Sequence, residues 1–418
     1  MEVVIAGGGI GGLTLALALE KAGIRSRVFE SSPEIRPVGV GINLLPHATR
    51  ELDRLGLSAA LERAAVQTRE AVFFNRFGQL IYREPLGRWG GYEWPQISIH
   101  RGDLHQVLLD AVRLRLGGDC VQTGWKCIGF EQDAGGASAL FKSSVTGEEL
   151  PPQRGTVVVA CDGIHSVIRK QLFPDEGEPL YTGVNMWRGV TRWPPVLSGA
   201  SLVRAGWLTC GKMVIYPIRE RIDAEGRQLV NWVAEIETPR HLGRDWSRRG
   251  MLEDFIGAFQ DWHFDWLDVP AFLRAADQML EFPMVDQEPL PWWTQGRVTL
   301  LGDAAHPMVP RGSNGAGQAI LDARALADAL AAHADPCQAL LEYEARRREV
   351  TARVVRMNRK NPPDAILREV FLRSGDKPFD RIEDVIGLDE LKAISEGYQR
   401  VAGYDRESLG SAVPDGGG

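Results

Sequence analysis

The feature that most constrains this chain is a short apolar run, Val3-Val4-Ile5-Ala6, followed at once by Gly7, Gly9 and Gly12 in the G-x-G-x-x-G spacing. It predicts a buried strand, a tight turn with Ile10 at the helix start, and hence an α/β dinucleotide-binding unit. The glycines let the backbone approach a pyrophosphate, whose charge is then held by free amides and the positive end of the helix dipole. Leu13 to Ala22 has the apolar spacing of a helix, and Ser26 to Glu30 reads as a second strand ending in an acid eighteen residues after Gly12. Glu30 stands where a ribose-binding carboxylate belongs. The fingerprint alone does not say which dinucleotide, and a plain tight turn in an α/β domain has the same spacing.

Composition narrows the class. At 418 residues, 44% hydrophobic and 25% charged, the chain suits a soluble globular protein of two or three domains. No apolar run reaches the roughly 20 residues that span a bilayer, and the start lacks the features of a signal peptide, so a cytoplasmic location is expected. Cys120, Cys127, Cys161, Cys210 and Cys337 are an odd set without C-x-x-C spacing, which argues against a disulfide framework and a metal site. His306 has no second His or Cys at ligand spacing. A net charge of -7 gives no basic stripe for nucleic acid, leaving small molecules as partners.

Two further strand ends choose between FAD and NAD. Thr156 to Ala160 is a β-branched apolar run that leads into Cys161-Asp162-Gly163, and Val298 to Leu301 leads into Gly302-Asp303. A nicotinamide enzyme has no use for two more acidic corners at these distances. A flavin dinucleotide adds ribityl hydroxyls that want a carboxylate acceptor, here Asp303. After that corner a glycine-rich loop opens a helix near Gly315 and Ala316, whose amino end would stabilise negative charge on a reduced flavin ring. A plain capped helix is the alternative.

These motifs together resemble the single-component FAD-dependent aromatic hydroxylases over nearly the whole chain. Within that family the sequence is most similar to the phenazine-carboxylate monooxygenases, through Gly39-Val40-Gly41-Ile42-Asn43, His100-Arg101-Gly102, Met186-Trp187-Arg188-Gly189-Val190-Thr191 and Pro283-Met284-Val285-Asp286. The resemblance implies an α/β fold in which a Rossmann-like FAD-binding domain of three layers (ββα) carries an inserted antiparallel sheet. It implies FAD bound non-covalently, NAD(P)H docking transiently, and O2 as co-substrate forming a C4a-hydroperoxide that hydroxylates an aromatic ring, with or without decarboxylation. It also sets Arg101 near the pyrophosphate, Val40, Gly41 and Cys127 against the cofactor, and Asp162 and Gly163 on the cofactor side. Two departures stand out: Ala160-Cys161-Asp162-Gly163 replaces Gly-Ala-Asp-Gly, and Gly315-Ala316-Gly317-Gln318 replaces Gly-Ala-Asn-Gln. The second removes a side-chain amide near the flavin loop.

The spacing of the motifs divides the chain. Residues 1–69, 98–178 and 285–372 are assigned to the FAD-binding domain, 70–97 and 179–284 to a substrate-covering sheet, and 373–418 to a helical tail with a disordered end. Val184 to Thr191, Lys212 to Pro217 and Leu229 to Ile236 read as strands of that sheet, a tryptophan-rich roof over the flavin. Tyr216 is a candidate substrate contact or a buried structural tyrosine. His47 is a candidate base or a plain core or surface histidine. Arg188 and Arg204 are candidates for a substrate carboxylate or members of structural ion pairs. A flavin-dependent halogenase and a non-catalytic FAD-binding module of the same fold are the competing readings. Trp94-Pro95 and Trp292-Trp293 do not supply the halogenase Trp-x-Trp-x-Ile-Pro signature. Monomer and homodimer both stay open.

Overall fold

A computed structural model describes residues 1–34, 40–238, 250–360 and 364–410. The amino-terminal fingerprint lies in a six-stranded sheet, in the spatial order Thr294–Gln295, Val298–Leu300, Val157–Ala160, Glu2–Ala6, Arg25–Glu30, Val121–Thr123. Every junction is parallel except that of the outermost Thr294–Gln295. Val3, Val4, Ile5 and Val157 to Val159 are wholly buried, as parallel strands covered on both faces must be. The helix Ile10–Lys21 is apolar nearly all round because it is enclosed between the sheet and the helices Arg101–Leu116 and Gly315–Ala332. The strands of this sheet read from the sequence, Glu2–Ala6, Arg25–Glu30, Val157–Ala160 and Val298–Leu300, differ from the expectation by one residue at one end.

A meander of Trp125–Asp133, Gly136–Ser143 and Glu149–Gly155 forms a separate antiparallel sheet that packs on the parallel one, with Phe141 against Phe29. Its last strand contains Pro151 and Pro152, tolerated because it lies at the edge.

The roof is a seven-stranded sheet in the order Ala276–Asp286, Leu180–Trp193, Gln228–Glu237, Lys212–Arg219, Ser201–Gly206, Glu70–Phe74, Leu80–Pro85. It is antiparallel apart from one parallel junction, Ser201–Gly206 beside Glu70–Phe74. Strand alternation then decides which side chains face the cofactor domain. Val190, Val214, Tyr216 and Leu229 share one face. Trp187, Ile215 and Trp232 share the other, with Phe255, Phe259, Trp262 and Phe272 from the covering segment. The expectation of a tryptophan roof over the flavin is therefore corrected. Most tryptophans of this sheet pack on the far side, and the near side is mainly aliphatic.

The helices Ala365–Ser374 and Leu388–Ala402 return the tail to the near side, where Ile366, Leu367, Val370 and Leu391 pack with Ala71, Phe73 and Ile81. Asn361 to Pro363 and the expected disordered end from Ser411 lie outside the described residues, as does Gly39. Among the described residues no helix is long and apolar enough to cross a membrane.

Candidate functional site

Four sequence motifs meet because their strands are neighbours. Gly7 follows Ala6, Glu30 ends its own strand, Cys161-Asp162 follows Ala160, and Leu301-Gly302-Asp303 follows Leu300. All four therefore open at the carboxyl end of one parallel sheet, where ligands of such folds bind. Gly7 adopts φ +112°, and a Cβ there would lie 2.2 Å from the Cys161 carbonyl oxygen; one on Gly12 would lie 2.0 Å from that of Gly7. No side chain fits at either position. The Gly8 amide donates to Glu30 Oε2 at 2.8 Å, and the Ser32 amide to Glu30 Oε1 at 2.7 Å.

A cleft of about 330 Å³ opens beside the turn, bordered by Gly9, Ile10, Arg101 and Gly163 on one side and Gly302, Asp303, Gly315 and Ala316 on the other. The Asp303 carboxyl projects into it. Desolvation by the surrounding walls raises its pKa, and His306 and Arg101 partly offset the rise. Beside the cleft, Asp162 Oδ2 accepts the Val167 amide at 2.9 Å, while Oδ1 is buried with no hydrogen-bond partner among the described residues. A buried carboxylate oxygen left in that state costs roughly 1–3 kcal/mol unless a ligand donates to it. The glycine cradle, the unsatisfied Asp162 oxygen and the free carboxyl of Asp303 fit a dinucleotide with additional hydroxyls.

The segment bearing the loop is locked from behind. Asp322, on the helix Gly315–Ala332, accepts from the Gly302 amide at 3.2 Å and Arg347 Nε at 2.7 Å, and lies 2.5 Å from His306 Nε2. Burial pushes its carboxyl up, but His306 and Arg347 outweigh that and hold it below the ordinary value. Arg347 Nη2 also donates to Gln318 Oε1 at 2.6 Å. The Asp162 and Asp303 corners are tied together by Arg169, whose Nη1 donates to the carbonyls of Ala304 and Ala305, each at 3.0 Å.

On the roof side the cleft is bordered by Gly41, Arg188 and Tyr216. The Gly41 amide donates to Asn231 Oδ1 at 2.7 Å, and its carbonyl accepts from Arg188 Nη2 at 2.6 Å and the Tyr216 hydroxyl at 2.9 Å. A Cβ on Gly41 would come within 2.7 Å of Tyr216, Ile218 and Asn231, so the strand sits flush against the roof. Val40 is buried just outside the cleft and accepts the Arg101 amide at 3.0 Å. Asn43 also borders the cleft; its Oδ1 accepts from Ser98, which in turn bonds to Thr68.

Several expected residues are placed elsewhere. His47 is 1% exposed beneath the helix Gly315–Ala332, and a Cβ on Gly317 would lie 3.4 Å from its ring. Burial, with Arg347 and Arg50 nearby, lowers its pKa from 6.5 to about 3. The base expectation is corrected: His47 is a neutral packing residue that does not border the cleft, and it occupies space left by the glycine at 317. Arg204 is likewise withdrawn from the cleft, with Nε 3.0 Å from Asp364 Oδ1 and its guanidinium over Phe73. Cys127 is buried in the meander, its thiol pushed up to about 12 chiefly by burial, and it too stays outside the cleft lining. Tyr216 borders the cleft, but its hydroxyl is committed to Gly41. Sequence reasoning gave no individual role to Asn43, Asn231, Asn314, Asp322 and Tyr398, each of whose side chains has a partner between 16 and 190 residues away along the chain. Among the described residues no three His, Cys, Asp or Glu side chains gather to hold a metal ion.

Comparison with known proteins agrees with this geometry. Residues 1–187 and 272–358 match the family described as FAD binding domain. The chain is 44% identical over 362 residues to a phenazine 1,6-dicarboxylic acid hydroxylase of Lysobacter antibioticus, spanning 86% of this chain and 89% of that protein. It is 36% identical over 355 residues to a 3-amino-4-hydroxybenzoate 2-monooxygenase of Streptomyces platensis, spanning 82% of this chain and 83% of the other. The fold is shared with Klebsiella pneumoniae HpxO solved with FAD and uric acid, at a TM-score of 0.72, 24% identity and coverage of 98% and 94% of the two chains. These relatives support oxygenation and give the halogenase reading no support. With its motifs gathered at one sheet end and its length matched to named hydroxylases, the chain belongs to the FAD binding domain family and is a flavoprotein monooxygenase.

Proposed function

We propose that this protein hydroxylates an aromatic or heteroaromatic carboxylate of the phenazine carboxylate or hydroxybenzoate kind, consuming NAD(P)H and dioxygen. The observation that carries the proposal is the 44% identity to a phenazine dicarboxylate hydroxylase across nine-tenths of that enzyme, set on a cleft between the glycine and acidic motifs and the roof-sheet residues Arg188 and Tyr216. When bound, FAD supplies the activation of dioxygen. The protein then has to hold the cofactor, orient the ring and keep water out.

In this reading Glu30 accepts from the adenosine ribose, Arg101 offsets pyrophosphate charge, Asp162 Oδ1 accepts from the cofactor, and Asp303 accepts from the ribityl chain. The amino end of the helix Gly315–Ala332 opens on the cleft, where its free amides would stabilise negative charge on a reduced flavin ring. Arg188 and Tyr216 hold the Gly41 peptide, which fixes the near wall. The Arg188 guanidinium borders the same cleft and is the cation best placed for a substrate carboxylate. Val184, Met186, Val233 and Val309 pack as a buried aliphatic cluster behind the wall formed by Met308 and Pro310. A cytoplasmic location belongs to the same reading and is supported by five free cysteines.

The test is NAD(P)H consumption by the purified yellow protein. A phenazine carboxylate or a hydroxybenzoate should accelerate it; a panel of aromatic carboxylates with no member that does so would sink the proposal.

A further inference from the structure

The wall made by residues 309–314 carries the most unusual backbone of the cleft. Gly312 has φ +82° and Ser313 has φ +58°, two successive left-handed residues of which the second is not glycine. A non-glycine residue in that region costs of order 1 kcal/mol and persists only where its surroundings impose it. The source of the restraint is some 85 residues further along the chain, beyond the residues matched to the FAD binding domain family, which end at 358.

Tyr398, on the tail helix Leu388–Ala402, is 4% exposed. Its hydroxyl accepts from Asn314 Nδ2 at 2.8 Å and donates to Asn358 Oδ1 at 2.8 Å. Asn358 Nδ2 in turn donates to the Val309 carbonyl at 3.4 Å. One phenol therefore holds the end of the loop directly and its start through a single side chain. The apex is shaped to the same group: a Cβ on Gly312 would lie 1.7 Å from the Tyr398 hydroxyl oxygen. Gln318, in the first turn of the following helix, adds a contact from Nε2 to the Ala402 carbonyl at 3.4 Å, on the same tail helix. What is held is functional surface, because Pro310, Ser313 and Asn314 border the cleft and Asn314 is the residue from which the helix Gly315–Ala332 begins.

We propose that Tyr398 is a positioning residue for the flavin, acting through Asn314 and Asn358 to hold the 309–314 loop, and with it the amino end of the helix Gly315–Ala332, in the arrangement that meets the flavin ring. The proposal rests on the reading that the ring lies beside this loop. Loosening the loop misplaces amides that favour the reduced, more negative ring, and so lowers the flavin potential without touching the phosphate or ribityl contacts.

The experiment compares wild type, Tyr398→Phe, Asn314→Ala and the double variant as flavin-loaded proteins. FAD content, the midpoint potential of the bound flavin and deuterium exchange of the 309–316 amides are measured. Tyr398→Phe should keep its FAD, exchange the loop amides about tenfold faster, and favour oxidised over reduced flavin by about tenfold, which is about 30 mV for a two-electron couple. Asn314→Ala should shift the potential the same way, and the double variant should add little, since both residues act in one unit. A Tyr398→Phe protein with FAD, wild-type potential and wild-type loop exchange overturns the proposal, even if it melts at a lower temperature. Fully additive shifts would overturn the route through Asn314. Wild-type protein unable to bind FAD would overturn the cofactor reading itself, and the proposal with it.

Discussion

Asp303 shows how a single residue can be readable from sequence and still gain meaning from structure. Its place after an apolar strand and a glycine makes it a candidate cofactor carboxylate, and the structure puts it in the lining of the cleft, with its carboxyl held above the ordinary value by desolvation. Asp303→Ala should therefore purify with little or no flavin absorbance while unfolding much like the apo wild type; full FAD occupancy would contradict the ribityl assignment. Glu30 and the glycines of the turn were equally legible, because their chemistry depends on spacing within some thirty residues. Arg204 and His47 were not. Arg204 is paired with Asp364, 160 residues away, and the His47 pKa is lowered first by burial beneath a helix that no local pattern connects to it, then by Arg347 and Arg50. For long-range partners a sequence supplies the residue types but not the pairing.

At the scale of elements, the contact between the helices Pro46–Arg54 and Gly315–Ala332 is built around His47 filling the space over Gly317. With its pKa lowered from 6.5 to about 3 by burial, Arg347 and Arg50, the ring stays neutral in the fold while the unfolded chain takes up a proton below about pH 6.5. Stability is therefore complete above that pH and falls progressively as the pH drops toward the folded value. At about pH 5 the loss is about 2 kcal/mol for this one group. Denaturant unfolding at about pH 7.5 and pH 5 should show that His47→Gln loses about 2 kcal/mol less than the wild type over that interval; equal losses would contradict a buried neutral histidine. Among elements, the strands Glu2–Ala6, Val157–Ala160 and Val298–Leu300 were legible because each is a short apolar run that leads into a motif, and Arg25–Glu30 because it ends in a well-spaced acid; Val121–Thr123 carried no such signal. The edge strand Ala276–Asp286 was not predicted, since Pro283 argues against a strand unless it lies at an edge, and edge position is set by the sheet and not by the segment. The antiparallel meander carried no motif to mark it.

For the whole molecule, three parts close on one cleft: the parallel sheet brings the glycine and acidic corners together, the roof sheet contributes Arg188 and Tyr216 with an aliphatic cluster packed behind the cleft wall, and the tail fixes the loop between them. The tryptophans illustrate the limit of reading such an assembly from sequence. Their concentration in the roof segments was visible, but a period of two places Trp187 and Trp232 on the side away from the cleft. The facing side is recognised only when strand registers are known. The central claim is that this assembly transfers one atom of dioxygen to an aromatic ring. The most direct measurement is the mass of the product formed from an aromatic carboxylate with NAD(P)H under dioxygen labelled with heavy oxygen. A hydroxylated product carrying one labelled atom is expected; NAD(P)H oxidation with every aromatic compound returned unlabelled and unchanged would contradict the assignment.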